Sequence, residues 1–211
     1  MGREFVGIFD EWVETYDDSV NGKDEEYREV FARYDDILQQ VADRAKGLTV
    51  EFGVGTGNLT EKLLRHGLEV IGVEPNAAMR ERTQSRFPQI SVVDGDFMSF
   101  SLPDDPIDTL VSTYAFHHLT DSEKAEAIKH YASILSGNGQ IVFADTMFED
   151  DEARQKQWQK AEKQGYTNLL EDLKREYYTT KPIMQKIFED AGFKVSFTQL
   201  NDYVWFIWAT K

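Results

Sequence analysis

Val50-Glu51-Phe52-Gly53-Val54-Gly55-Thr56-Gly57-Asn58 is the stretch on which the rest of the chain is organised. A short apolar run, Leu48-Thr49-Val50, precedes it, and an amphipathic run from Leu59 to Leu64 follows. The pattern predicts a strand, a glycine loop and a helix. Glycines take positive φ readily, and they let a ligand approach the backbone with no Cβ in between. The helix behind such a loop offers unpaired N–H groups and the positive end of its dipole. Together these features predict a cradle for a nucleotide-like cofactor.

Downstream the pattern alternates. A strand over 69–73 ends at Glu74-Pro75, and Asn76 can cap a helix running to Arg86. A strand over 90–93 ends at Asp94-Gly95-Asp96, and another covers 107–113. Thr120-Asp121-Ser122-Glu123 has the form of a capping box and opens a helix that Gly137-Asn138-Gly139 is expected to end. A buried-type strand over 140–144 then ends at Asp145. Residues 152–177 are polar but keep a stripe of Trp158, Ala161, Gly165, Leu169, Leu173 and Tyr177, which predicts one or two covering helices. Pro182 suits an early helical position and Gly192 a helix stop. Strands over 194–199 and 203–209 close the chain as a hairpin around Asn201-Asp202.

Upstream of the loop, Phe5, Ile8, Phe9, Trp12, Val13 and Tyr16 form one helical stripe. A second runs from Tyr27 through Val41 and should stop near Gly47. The expected organisation is a single domain over 1–211. It has an N-terminal helical cap (1–46), a cofactor-binding core (47–150), a helical cover (151–181), and a last helix with the closing hairpin (182–211). Strands alternating with helices imply an α/β protein: a mostly parallel sheet with helices on both faces. Ligands on such sheets bind outside the carboxyl ends of the strands. Gly53, Glu74, Asp96, Thr113 and Asp145 should therefore gather at one edge.

Composition narrows the function. The formal net charge of −15 argues against nonspecific binding to nucleic acid, whose affinity comes mainly from Lys and Arg at phosphates. No run of about 18 apolar residues predicts a membrane span. Residues 1–10 lack the apolar core of a signal peptide, so a cytoplasmic location is expected. The absence of cysteine excludes disulfides, thiolate metal ligands and cysteine nucleophiles. Asp94 and Asp96 could be read as metal ligands, but no partner histidine or asparagine stands near them, and no metal is expected.

Which cofactor the cradle takes depends on the glycine spacing. Nicotinamide and flavin folds use G-x-G-x-x-G, whereas here Asn58 stands where the third glycine of that pattern would be. Glu51, two residues before the first glycine, would repel a diphosphate and suits a cationic ligand group. Glu51-x-Gly53-x-Gly55-x-Gly57 followed by Glu74 resembles the first two motifs of class I S-adenosylmethionine (SAM) methyltransferases. Asp94-Gly95-Asp96-Phe97 is similar to that family's motif after the third strand. The closing hairpin fits its reversed last strand. With Ala115-Phe116-His117-His118-Leu119-Thr120 and Phe143-Ala144-Asp145-Thr146, the chain is most similar to the bacterial YrrT-type members.

The resemblance implies a Rossmann-like seven-stranded sheet with an antiparallel last strand and an N-terminal helical lid. It implies SAM as cofactor and a small-molecule methyl acceptor, with the protein a monomer or homodimer. Gly53, Gly55 and Gly57 would let the backbone reach the cofactor. Glu74 would accept from the ribose hydroxyls and Asp96 from the adenine amino group, with Phe97 or Met79 beside the ring. Glu51 either meets the methionine ammonium through water or orders the loop. Two readings compete with methyl transfer: a non-catalytic SAM-binding protein and a nicotinamide oxidoreductase.

Methyl transfer from a sulfonium needs little beyond positioning and the handling of one proton. His117 and His118 follow the fourth strand, near where an acceptor would lie, and histidine is the natural base near neutral pH. His117 is the candidate base, with packing and helix capping as the alternative for the pair. Tyr16 is the second catalytic candidate, as a lid residue near the sulfonium, and Trp12 would anchor that lid. Trp158, Tyr166, Tyr177 and Tyr178 either line an acceptor pocket or hold the cover down. His66 and His130 are expected at the surface.

Overall fold

Seven strands form one sheet in the order β3-β2-β1-β4-β5-β7-β6 in the computed structural model, which describes Val20 and residues 22–211. The strands are β1 (Leu48–Phe52), β2 (Glu69–Val73), β3 (Ser91–Val93), β4 (Ile107–Thr113), β5 (Leu135–Thr146), β6 (Lys194–Gln199) and β7 (Val204–Thr210). All pairs from β3 to β5 are parallel; β7 runs antiparallel to both β5 and β6. The expected mostly parallel seven-stranded sheet with an antiparallel last strand is present. The α-helices bounded within the described residues are α1 (Tyr34–Arg44), α2 (Asn58–Arg65), α3 (Ala77–Arg86), α4 (Asp121–Ile134), α5 (Asp151–Gln164), α6 (Thr167–Arg175) and α7 (Lys181–Asp190). The stripe over 3–16, with Trp12, Tyr16 and the proposed lid, lies outside the described residues.

The central strands are buried on both faces because successive side chains point to opposite sides. In β4, Leu110 joins a core with Phe52, Tyr131 and Phe188, while its neighbour Val111 joins another with Ile37, Leu63 and Leu173. In β5, Ile141 and Phe143 go with the first core and Val142 and Ala144 with the second. The first lies under α4 and α7, and the second under α1, α2 and the α5–α6 cover. Two sequence signals act at helix starts as their chemistry requires. Asn76 caps α3 by accepting from Met79 N–H at 2.9 Å. Thr120 and Glu123 form a reciprocal capping box on α4.

Two expectations are corrected. The helix expected from Tyr27 to Val41 is α-helical only from Tyr34; residues 24–33 form successive turns. The hairpin tip explains the break. The Asn201 side-chain amide donates to the carbonyls of Val30 (3.0 Å) and Ala32 (2.9 Å), acceptors a continuous helix would use for itself. Arg33 then turns the chain at φ 64°, and its guanidinium reaches the Leu200 carbonyl. The second correction concerns Gly137-Asn138-Gly139, which does not separate helix from strand. β5 begins at Leu135, directly after α4, and the glycines form an irregularity inside it. Pairing with β4 jumps from Ile107↔Leu135 to Thr109↔Gln140.

Candidate functional site

The glycine loop leaves the carboxyl end of β1 with Gly53, Gly55 and Gly57 all at positive φ (68°, 54° and 85°). A Cβ at Gly57 would stand 2.7 Å from the Phe87 ring, so the close packing of the loop on α3 requires glycine there. Gly55 differs: an added Cβ would meet no atom of the described residues within 4 Å, so among these residues this side of the loop is open. The loop's outer carbonyls are tied down by α3. The Thr83 hydroxyl donates to the Gly55 carbonyl (2.7 Å), and Arg86 donates to the Thr56 carbonyl (3.0 Å) and to Asn58 Oδ1 (3.1 Å). Thr83 and Arg86 were missed in the sequence. Nothing local marks them, since they act on residues 28 to 30 positions away.

Glu74 follows β2 and is buried beside this loop. Its Oε2 accepts from Gly55 N–H (3.0 Å) and its Oε1 from Asn76 N–H (2.9 Å). Burial raises its carboxyl above the usual range, and those two amides, together with Arg80, only partly offset it. A carboxylate oxygen can accept two hydrogen bonds, so each still has capacity for a ligand hydroxyl. Glu51 lies deeper, 2% exposed. The Thr60 hydroxyl of α2 donates to its Oε2 at 2.6 Å. Burial pushes this carboxyl up to about 8, against the lowering effect of Thr60 and helped by the charge of Glu74. The contact ties β1 to the first turn of α2.

Asp96 sits after β3, half-buried, and its Oδ1 accepts from the Met98 and Ser99 N–H groups, both at 2.9 Å. Phe97 is placed in the core, its ring centroid 5.1 Å from Phe52 and 5.2 Å from Phe116. Met79 is likewise buried. An open cradle on Gly55, a buried acid at the next strand end and a half-buried acid at the one after it fit a ligand with a diol and an amino-bearing base.

The other half of the same edge holds a second cluster. His117 lies in a 3₁₀ turn (Phe116–His118) after β4, and Asp145 near the end of β5. Asp145 Oδ2 accepts from the His117 backbone N–H (2.8 Å), and Oδ1 meets His117 Nδ1 at 2.6 Å. Thr146 N–H also donates to Oδ1 (2.7 Å). On the other side of the ring, His117 Nε2 lies 3.0 Å from Glu176 Oε2, just past the end of α6. The Tyr178 hydroxyl donates to the same oxygen (2.8 Å), and its ring stands 4.8 Å from that of His117.

Carboxylates only accept, so both nitrogens of His117 must donate and the ring is an imidazolium. Burial alone would depress it, but the charge and hydrogen bond of Asp145, then those of Glu176, carry it up to about 10. Burial alone would raise Glu176; the hydrogen bond and charge of His117 hold it down at about 2. With Nδ1 and Nε2 both occupied, His117 has no ring nitrogen turned to an acceptor proton in this arrangement. His118 packs against it, ring centroids 4.3 Å apart, and burial together with the His117 charge lowers it to about 3. His66 and His130 are exposed, as expected.

Glu176 was missed in the sequence because it reaches His117 only through the fold, on the last turn of the cover. Of the cover aromatics, Tyr178 is at the cluster. Trp158 instead binds the cover to itself, its indole N–H donating to the Leu173 carbonyl (3.1 Å). Tyr114 is a second missed residue. It follows β4 at φ 53°, packs at a tilt against Phe31 and Tyr34 (ring centroids 5.2 and 5.4 Å), and buries a hydroxyl with no hydrogen-bond partner among the described residues. A separate cavity of about 860 Å³ lies beyond Asn58, between residues 28–38 and α2. Its lining cations include Lys62, paired with Asp35, Arg33 with Asp36, and Arg65 and Arg86 with Glu61. No helix among the described residues is long and apolar enough to cross a membrane.

The family described as "Methyltransferase domain" matches residues 50–139, from β1 into β5. An uncharacterized methyltransferase of Geobacillus sp. (strain WCH70) is 54% identical over 212 residues, covering all of both chains. One from Oceanobacillus iheyensis is 53% identical, covering all of this chain and 99% of the relative. Among solved structures, magnesium protoporphyrin IX methyltransferase from Synechocystis PCC 6803 with bound SAH superposes with a TM-score of 0.66. It is 16% identical, and the match covers 96% of each chain.

Proposed function

The chain belongs to the class I SAM-dependent methyltransferases, and from that premise we propose that it methylates a small-molecule acceptor held between the sheet's carboxyl edge and the α5–α6 cover. The observation that carries this reading is the pairing of Glu74 with the glycine loop. A buried carboxylate is fixed by Gly55 N–H beside a loop face that no side chain of the described residues fills. The cofactor, when bound, supplies an activated methyl group on a sulfonium. The protein's task is to position it and to shield the acceptor from water.

In this reading Glu74 accepts from the ribose hydroxyls and Asp96 from the adenine amino group. Gly53, Gly55 and Gly57 form the cradle, and Phe97 supports the site from the core. Glu51 orders the loop through Thr60. His117 acts as a positioning residue: it ties the end of α6, which carries Glu176, to the strand ends that carry Asp145. The acceptor would then lie next to Tyr178 and Tyr114. The role first weighed for Tyr16 falls outside the described residues.

Calorimetric titration tests the cofactor half. SAM should bind, and Glu74→Ala should weaken it by about 1–3 kcal/mol through lost charged hydrogen bonds. Binding of NAD with none of SAM would overturn the reading. Labelled SAM incubated with a small-metabolite pool tests turnover. Release of S-adenosylhomocysteine together with a labelled small product is expected. Binding without release would make the protein a SAM-binding module instead.

A further inference from the structure

We propose that His117, His118 and Glu176 form a binding site for one divalent transition-metal ion, with Asp145 as the carboxylate that orients the first of them. One donor atom from each of the three residues lies within 4.8 Å of the other two. His117 Nε2 and Glu176 Oε2 stand 3.0 Å apart. Ligands about 2.0–2.2 Å from a common ion stand about 3 Å apart at a right angle and about 3.4 Å apart in a tetrahedral site, so this pair needs only a few tenths of an ångström of movement to share one.

The surroundings are those of a ligand set rather than of a chance cluster. A metal-bound imidazole almost always gives its other ring N–H to a carboxylate, which fixes the tautomer and the ring's direction. Asp145 does this for His117 at 2.6 Å, and is itself pinned by two backbone N–H groups. Tyr178 donates to Glu176 and so orients the carboxylate ligand as well. Charge agrees with geometry. Asp145 and Glu176, with side chains only 4% and 11% exposed, bring two negative charges into one buried place, and a divalent ion balances both.

Two imidazoles and one carboxylate suit zinc and its first-row neighbours; magnesium and calcium prefer oxygen alone. Three protein ligands leave at least one position open. A hydroxyl or thiol acceptor could coordinate there. This consequence for the acceptor rests on the methyl-transfer reading, whereas the binding of the ion does not.

The test uses untagged full-length protein, stripped with a chelator and titrated calorimetrically with zinc chloride. One equivalent per chain is expected. Glu176→Gln and His118→Ala should each weaken uptake by about tenfold or more, and Asp145→Asn by about 10–100-fold. His66→Ala and His130→Ala, at exposed positions, should leave it unchanged. Cobalt(II) added to the stripped wild type should give ligand-field bands, which decides the matter even if a variant does not fold. No zinc uptake and no such bands, or uptake untouched by Glu176→Gln and His118→Ala, overturns the site. Titrating the same stripped protein with SAM separates the two readings. SAM binding without zinc uptake removes only the metal site, and zinc uptake without SAM binding removes only the methyl-transfer reading.

Discussion

Glu51 and Glu74 stand at one half of the sheet's carboxyl edge, Asp145 and Glu176 at the other. All four side chains are largely removed from water, yet they are handled in different ways. The first two lie beside the glycine loop, held by a hydroxyl and by backbone amides, and burial raises both carboxyls. The second two bracket an imidazole, and Glu176 is held down at about 2. On the proposed cofactor half, Glu74 keeps acceptor capacity for a hydroxyl-bearing partner. On the proposed acceptor half the charges are already engaged, in a hub that joins two strand ends to the cover.

The sharpest way to break this contrast is to remove the hub. In metal-stripped protein, His117→Ala leaves two buried carboxylates without their shared partner. Loss of one member of a buried charge pair costs about 3–5 kcal/mol, so a drop of that size is expected in urea denaturation at pH 7. A loss under about 1 kcal/mol would show that water or another group compensates Asp145 and Glu176, and the two halves would no longer differ.

Glu51→Gln probes the opposite half, with the opposite sign. The folded carboxyl keeps its proton up to about pH 8, whereas the unfolded one releases it near 4.5. Between these values the unfolded chain binds fewer protons, so raising the pH favours unfolding. Wild-type protein should lose stability from pH 5 to 8 relative to Glu51→Gln. The gap should reach a few kcal/mol, bounded by about 1.4 kcal/mol per pKa unit. Glutamine can still accept from Thr60, so the loop contact survives. Parallel denaturation curves for the two proteins across this range would show that Glu51 is solvated and ionised.

The same contrast separates what could be read in the chain from what could not. Glu74 and Asp96 were legible because Glu74 follows directly on β2 and Asp96 lies three residues after β3, so strand periodicity puts them at the edge. The loop was legible because positive φ selects glycine residue by residue. On the other half only His117 and Asp145 end a local element. Glu176 arrives from the end of the cover, and its contact with His117 depends on how α6 packs, which no local pattern encodes. The break before Tyr34 has the same origin. Asn201, 171 positions beyond Val30, takes the carbonyls on which the helical stripe had counted. Local signals held at the starts of α3 and α4, and the one before Tyr34 failed because a distant side chain takes the backbone carbonyls.

Tyr114 gives the smallest expected effect and a direct check on where the acceptor half begins. A non-glycine residue in the left-handed region costs about 1–2 kcal/mol, and a buried hydroxyl without a partner adds a cost of about 1 kcal/mol. Tyr114 bears both, at the end of β4 next to the turn that carries His117. Such costs persist where a bound molecule uses the group. Tyr114→Phe keeps the ring contacts with Phe31 and Tyr34 and deletes only the oxygen. Folding stability should therefore hold or rise by up to about 1 kcal/mol, while S-adenosylhomocysteine release from the metabolite pool should fall severalfold. A stability loss would mean the hydroxyl already has a partner in the folded protein. Unchanged release would place the acceptor away from Tyr114, toward Tyr178 and the cover.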